Sequence, residues 1–246
     1  MRTSNPTLSD KVFERAGYGS GDAMTINGTV NKMGILLLLV VVPAAWMWNQ
    51  VMSAWEPSQA LGPAMLGAIG GFVMALVTMF KKTWAPVTAP IYAMLQGLFL
   101  GGISAAYNVQ FQGLPMQAVA LTFGTLAVML VAYRTGLVRA TENFKLGVVA
   151  ATGGIAMLYL VSIVMGLFGA RIPFIHESGL VGIGFSLFVV VIAALNLVLD
   201  FDFIEKGSEM GAPRYMEWYA AFGLLVTLVW LYLEILRLLA KLQSRD

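Results

Sequence analysis

Seven apolar stretches, each long enough to cross a lipid bilayer, constrain this chain more than any motif in it. They lie near 33–52, 61–80, 87–107, 115–133, 147–168, 180–203 and 218–240. A helix rises about 1.5 Å per residue, so about 20 apolar residues span roughly 30 Å of hydrocarbon. The joints are short and carry turn residues or charge, as in "KKTWAP", "RTGLVRATENFK" and "EKGSEMGAPRYME". The expected fold is all-α: a polytopic membrane protein built as a seven-transmembrane-helix bundle, with helix seven central.

Composition supports this reading. Only 11% of the 246 residues are charged and 59% are hydrophobic, whereas a soluble domain carries about 25% charged residues. A soluble protein of this size needs more polar surface than that. The net charge of +2 is too small for a nucleic-acid surface, so no nucleic-acid partner is expected. With no cysteine, disulfides and thiolate metal sites are excluded. The first 32 residues mix acids with bases. They are too long and too acidic for a cleaved signal, so the first apolar run is expected to stay as a helix. The division is a cytoplasmic tail at 1–32, a transmembrane domain at 33–240 and a short basic tail at 241–246.

Basic residues set the orientation. Eleven of the fifteen fall in the N-terminal tail and in the joints at 81–86, 134–146 and 204–216. The opposite set holds Arg171, Arg237, Lys241 and Arg245. The positive-inside rule places the N-terminus in the cytoplasm. The basic C-terminus departs from the rule. Lipid gives little drive for helix association, so small residues should mediate close packing. Gly67 with Gly71, and Gly97 with Gly101, have the necessary spacing of four.

Acids at membrane depth cost about 2.5–3.5 kcal/mol each on insertion scales, and they tend to be functional. Three qualify: Asp200 and Asp202 in "LNLVLDFDFIEKG", and Glu234 in "WLYLEILRLLAK". Residues two apart point about 200° apart on a helix, so the aspartates serve different faces. Asp202 precedes Lys206 by four residues, the spacing of an interfacial ion pair. Asp200 shares its face with Asn196, Ala193, Val189, Ser186 and Gly182, a small and polar stripe suited to a helix–helix interior. Glu234 lies on a stripe with Thr227, Trp230, Arg237 and Lys241. It either pairs locally with Arg237 or joins Asp200 in an internal acidic site. Two carboxylates sharing a poorly solvated site cannot both ionise cheaply, so such a pair holds a proton. Deprotonated, it offers oxygens to calcium, which wants 6–8 of them. Measured from the expected helix ends, Asp200 and Glu234 lie at different depths. No other cofactor is implied. The single histidine, His176, lies in a joint, and no triad or nucleotide-binding glycine motif stands out. An enzyme is therefore not expected.

Four stretches together resemble the Bax-inhibitor-motif (TMBIM) family of seven-helix membrane proteins, including its bacterial YccA- and YetJ-like members. They are "GLFLGGISAAY", "AVALTFGTLAVMLVAYRTG", "LNLVLDFDFIEKG" and "LYLEILRLLAKL". The resemblance implies a pH-sensitive calcium leak channel in the bacterial cytoplasmic (inner) membrane. Acids on helices six and seven sense protons there, and by position they fall on Asp200 and Glu234. Asn196, Arg237 and Asp202 stand as supporting residues, and calcium and protons as the ions handled. The alternative is a non-conducting regulator that binds another membrane protein, such as a quality-control protease. This chain departs from the family pattern in three places. Glutamate replaces aspartate at Glu234, helix two lacks an acid or arginine, and the joint between helices six and seven is longer.

The orientation is testable because the chain has no cysteine of its own. Single cysteines at Lys82 and Arg139 are expected to resist an impermeant thiol reagent in intact cells, and one at Ser58 to label. The reverse pattern would overturn the topology.

Overall fold

The structure, a computed structural model, describes residues 23–53, 61–169 and 179–244. The 1–22 part of the tail, Ser58, Arg171, His176 and Arg245 lie outside the described residues. Among the described residues seven α-helices follow in order: α1 Ile26–Ser53, α2 Leu61–Phe80, α3 Ala85–Gln110, α4 Leu114–Arg134, α5 Glu142–Leu167, α6 Leu180–Glu209 and α7 Tyr215–Gln243. Each of the seven is long and apolar enough to span a membrane. The all-α seven-span fold read from the sequence is the fold found. Exposure differs sharply among the helices. The most apolar window of α7 is 61% buried and that of α5 only 11%. The last helix is thus the most enclosed, and α5 turns most of its surface outward.

Two boundaries differ from expectation, one because of a contact distant in sequence and the other because of a local turn. The first helix starts at Ile26, inside the expected tail. Thr25 caps it, its hydroxyl accepting from the Gly28 amide at 2.9 Å. The same hydroxyl and the Thr25 amide donate to Glu217 Oε1 at 3.0 and 2.9 Å. Lys32 forms an ion pair with the other oxygen of Glu217. A carboxylate at a helix N-terminus also suits the helix dipole. Glu217 thus satisfies the capping Thr25 and the Lys32 ammonium in the polar turns before the apolar run.

The other difference is at the end of α6, which runs on to Glu209. Gly211 lies in the left-handed region at φ 64°. Its amide bonds Ser208 O at 3.2 Å, and the Ala212 amide bonds Gly207 O at 3.0 Å. This is a Schellman ending, which needs a residue free to adopt positive φ. Pro213 then blocks further helix. The supposedly long joint at 204–216 is therefore only 210–214.

The described residues form two compact units, one of 23–115 with 202–226 and another of 116–201 with 227–244. In the first, α1 and α2 both pack on α3. A side chain at Gly97 would overlap the carbonyl oxygen of Val40, and one at Gly101 would come within 2.8 Å of Ala44 Cα. A Cβ at Gly67 would lie 2.5 Å from Leu95 O. Of the glycines singled out by spacing, Gly67, Gly97 and Gly101 are thus points of close backbone approach, whereas Gly71 faces only side chains, with Gln96 Oε1 3.2 Å from where a Cβ would lie. The second unit holds α4, α5 and the long stretches of α6 and α7 that carry the acids.

Gly97→Ala is expected to destabilise by about 1–3 kcal/mol, since the added methyl forces backbone apart. Gly154→Ala on α5, where no atom lies within 4 Å, should be neutral or gain up to about 1 kcal/mol from helix propensity. Thermal melting in detergent compares them, and equal melting temperatures would contradict the close packing.

Candidate functional site

The face of α6 read as a small and polar stripe is turned inward. Gly182, Ser186, Val189, Ala193 and Asp200 are buried and Asn196 is half-buried. Opposite it runs α7, and two contacts fix their register. Near the 210–214 turn, Asp200 takes a hydrogen bond from the side chain of Thr227. At the far end, Lys241 Nζ donates to Ser186 Oγ at 2.8 Å and to Gly182 O at 3.0 Å. Between the two contacts α6 moves back fourteen residues and α7 forward fourteen. The helices are antiparallel in constant register over about 21 Å.

Asp200 is 8% exposed, and its Oδ2 is buried without a hydrogen-bond partner. One turn away, Asn196 Nδ2 donates to Thr152 Oγ1 on α5 at 2.8 Å and to Ile192 O at 2.8 Å. Asp202 belongs with the other unit and lies 3.0 Å from Lys206 Nζ, as its spacing suggested.

Glu234 is 1% exposed and fully engaged. Tyr159 on α5 donates its hydroxyl to Oε1 at 2.9 Å. Arg237 Nη1 reaches both Glu234 oxygens at 2.9 Å and the Tyr159 hydroxyl at 2.7 Å. The guanidinium also sits 5.2 Å from the centre of the Tyr159 ring. Arginine, carboxylate and phenol close a triangle in which each hydrogen bond supports the next.

The structure does not bring the two candidate acids together. Asp200 faces Thr227, and Glu234 lies seven residues further along α7, about 10 Å away along the axis. Of the two readings of Glu234, the local pair with Arg237 is the one present. The shared acidic site is not formed. An ion bound by both acids would need their oxygens within about 5 Å of each other, since calcium–oxygen distances are 2.3–2.6 Å. Among the described residues no group of three or more His, Cys, Asp or Glu side chains could hold a metal ion.

Sequence reasoning missed Thr152 and Tyr159 as site residues, and did not assign roles to Thr227 and Lys241. A signal was present. Thr227, Glu234 and Lys241 are spaced by seven, as are Thr152 and Tyr159, and seven residues bring a helix nearly back to one face. Polar groups from α5, α6 and α7 thus line one seam. Its members are Asp200–Thr227, Asn196–Thr152, Glu234–Tyr159–Arg237 and Lys241–Ser186.

Because the two acids belong to separate networks, Asp200→Asn and Glu234→Gln should change stability additively, within about 0.5 kcal/mol. Glu234→Gln alone is expected to cost more than Tyr159→Phe, because it strips Arg237 of its counter-charge. Denaturation of the single and double variants in detergent measures both. A coupling above about 1 kcal/mol would mean the acids interact directly.

Comparison with known proteins adds the family. No curated protein and no solved structure matches the chain. The family model described as "Bax inhibitor 1 like" matches residues 5–244, nearly the whole length. The seven helices, the acidic end of α6 and the acid of α7 all fall inside that match, and the chain belongs to the Bax inhibitor 1 like family.

Proposed function

We propose that this chain is a pH-sensitive cation leak of the cytoplasmic membrane, with calcium the permeant ion and the N-terminus in the cytoplasm. Asp200 holds the controlling proton. The observation that carries this reading is Asp200 itself, a buried carboxyl with one oxygen satisfied by Thr227 and the other without a partner. A carboxylate can only accept hydrogen bonds, whereas a protonated carboxyl also donates one. Protonation at Oδ2 changes what Asp200 can bind, while its contact with α7 runs through Thr227. Glu234, held by Arg237 and Tyr159, is a fixed structural charge in this reading rather than half of a proton-sharing pair.

The polar seam supports a pathway role. It covers about 21 Å of the roughly 30 Å hydrocarbon core. Polar groups at such depth are expensive unless they serve a function or are fully paired. Arg237, 38% exposed by its side chain, and Lys241 lie toward the far end. The acid without a full set of partners lies toward the other.

The test is calcium uptake into liposomes containing purified protein, titrated over pH. Wild type should show a pH-dependent flux. Asp200→Asn, which mimics the protonated shape, should give a flux that no longer changes with pH. Asp202→Asn should keep the pH dependence and lower only yield or melting temperature. Equal effects at the two aspartates would remove Asp200 from its role. Absence of flux at every pH would sink the leak and favour a regulator that acts by binding another membrane protein.

A further inference from the structure

Lys241 lies in the last turn of α7, two residues before the helix ends at Gln243. A lysine so placed has a short route to water, and its flexible stem normally carries the ammonium there. Here the side chain turns inward instead and is 7% exposed. Its ammonium is held by a backbone carbonyl, Gly182 O at 3.0 Å, and a hydroxyl, Ser186 Oγ at 2.8 Å. Carbonyl and hydroxyl oxygens are the hard, neutral ligands with which proteins replace the hydration shell of a metal cation. Both come from the first two turns of α6, at the far mouth of the seam.

We infer that the ammonium of Lys241 is a tethered cation that occupies the oxygen ligands at the far mouth of the α6–α7 seam and holds it closed to free cations. The inference rests on the proposed leak and adds the residue that blocks and selects. Electrostatics strengthens the block. One turn below Lys241 on the same face lies Arg237, paired with Glu234. An incoming cation therefore meets the charges of Lys241 and Arg237 as well as filled ligands. The bland alternative is a pin joining the start of α6 to the end of α7. A pin needs only a hydrogen-bond donor at 241. A block needs the positive charge.

That difference selects the variants. Lys241→Gln keeps a donor and removes the charge, and Lys241→Arg keeps both. Ser186→Ala keeps the charge and removes one of its ligands. Each is purified, checked for a monodisperse peak and a melting temperature, and placed in liposomes. Calcium and potassium uptake are read at neutral pH and across the pH range. Charges lining a cleft change local ion concentrations and rates by about 10- to 1000-fold. Lys241→Gln is therefore expected to raise neutral-pH flux about tenfold or more over wild type, and Lys241→Arg to leave it low. Ser186→Ala should raise it by a smaller factor. If wild type conducts at some pH and Lys241→Gln conducts no more than wild type at neutral pH, the block is overturned and Lys241 is a pin. If Lys241→Gln does not fold, Ser186→Ala decides, and unchanged flux there overturns the block. If neither wild type nor any variant conducts at any pH, the leak reading falls and the block falls with it.

Discussion

Lipid supplies no hydrogen bonds, and the candidate site is organised by that deficit. Each polar side chain on the inner faces of α6 and α7 must find its partner within the protein. Thr227 meets Asp200, and Lys241 meets Ser186 and Gly182. Both contacts demand the same register. A slip of either helix by one residue would rotate its face by about 100° and strand several of these groups at once. The register in turn sets where Glu234 lies, seven residues from each contact, with Tyr159 of α5 and Arg237 as its partners.

The same deficit explains why the two acids behave differently. Glu234 accepts from both a guanidinium and a phenol, so both of its oxygens are satisfied within the protein. Breaking such a buried pair by removing one partner costs about 3–5 kcal/mol, which makes it a poor switch and a good anchor. Asp200 has a neutral hydroxyl as its partner and a second oxygen with none. A group whose hydrogen bonding is incomplete has the most to gain from a change of protonation or from a ligand. In the proposed leak, control and anchoring thus fall to two different carboxylates of one seam.

How much of this the sequence carries depends on the kind of signal. Long apolar runs place seven helices almost without ambiguity, because the bilayer imposes a length. The glycine spacings point to the contacts of α3 because close approach tolerates no side chain. Asp202 and Lys206 are legible because both lie on one helix four residues apart. The start of α1 is not, because it is set by a contact distant in sequence. Thr25 caps α1 with the help of Glu217, 192 residues away. The end of α6 departs from expectation for a local reason. Depth was counted from an α6 ending near 203, and the Schellman turn at Gly211 carries the helix to Glu209. The extra helix moves the level of Asp200 along α7 to Thr227, still seven residues short of Glu234, in keeping with the different depths of the two acids.

Glu217 and Glu234 show how α7 bears its charge. Both are nearly fully buried, at 2% and 1% exposure, and each lies against a base, Lys32 on α1 for one and Arg237 on α7 for the other. Each also takes a hydroxyl, from Thr25 or from Tyr159. Burying an ion pair gains little stability over an apolar core, because desolvation consumes most of the attraction. What it does impose is specificity, since a carboxylate satisfied by one base and one hydroxyl has few alternative positions. Near its start α7 is tied to the capped end of α1. Further along it is tied to α5. Within the unit of 116–201 with 227–244, the acid with an unfilled hydrogen-bonding position meets α7 at Thr227, seven residues from the carboxylate that ties this helix to α5.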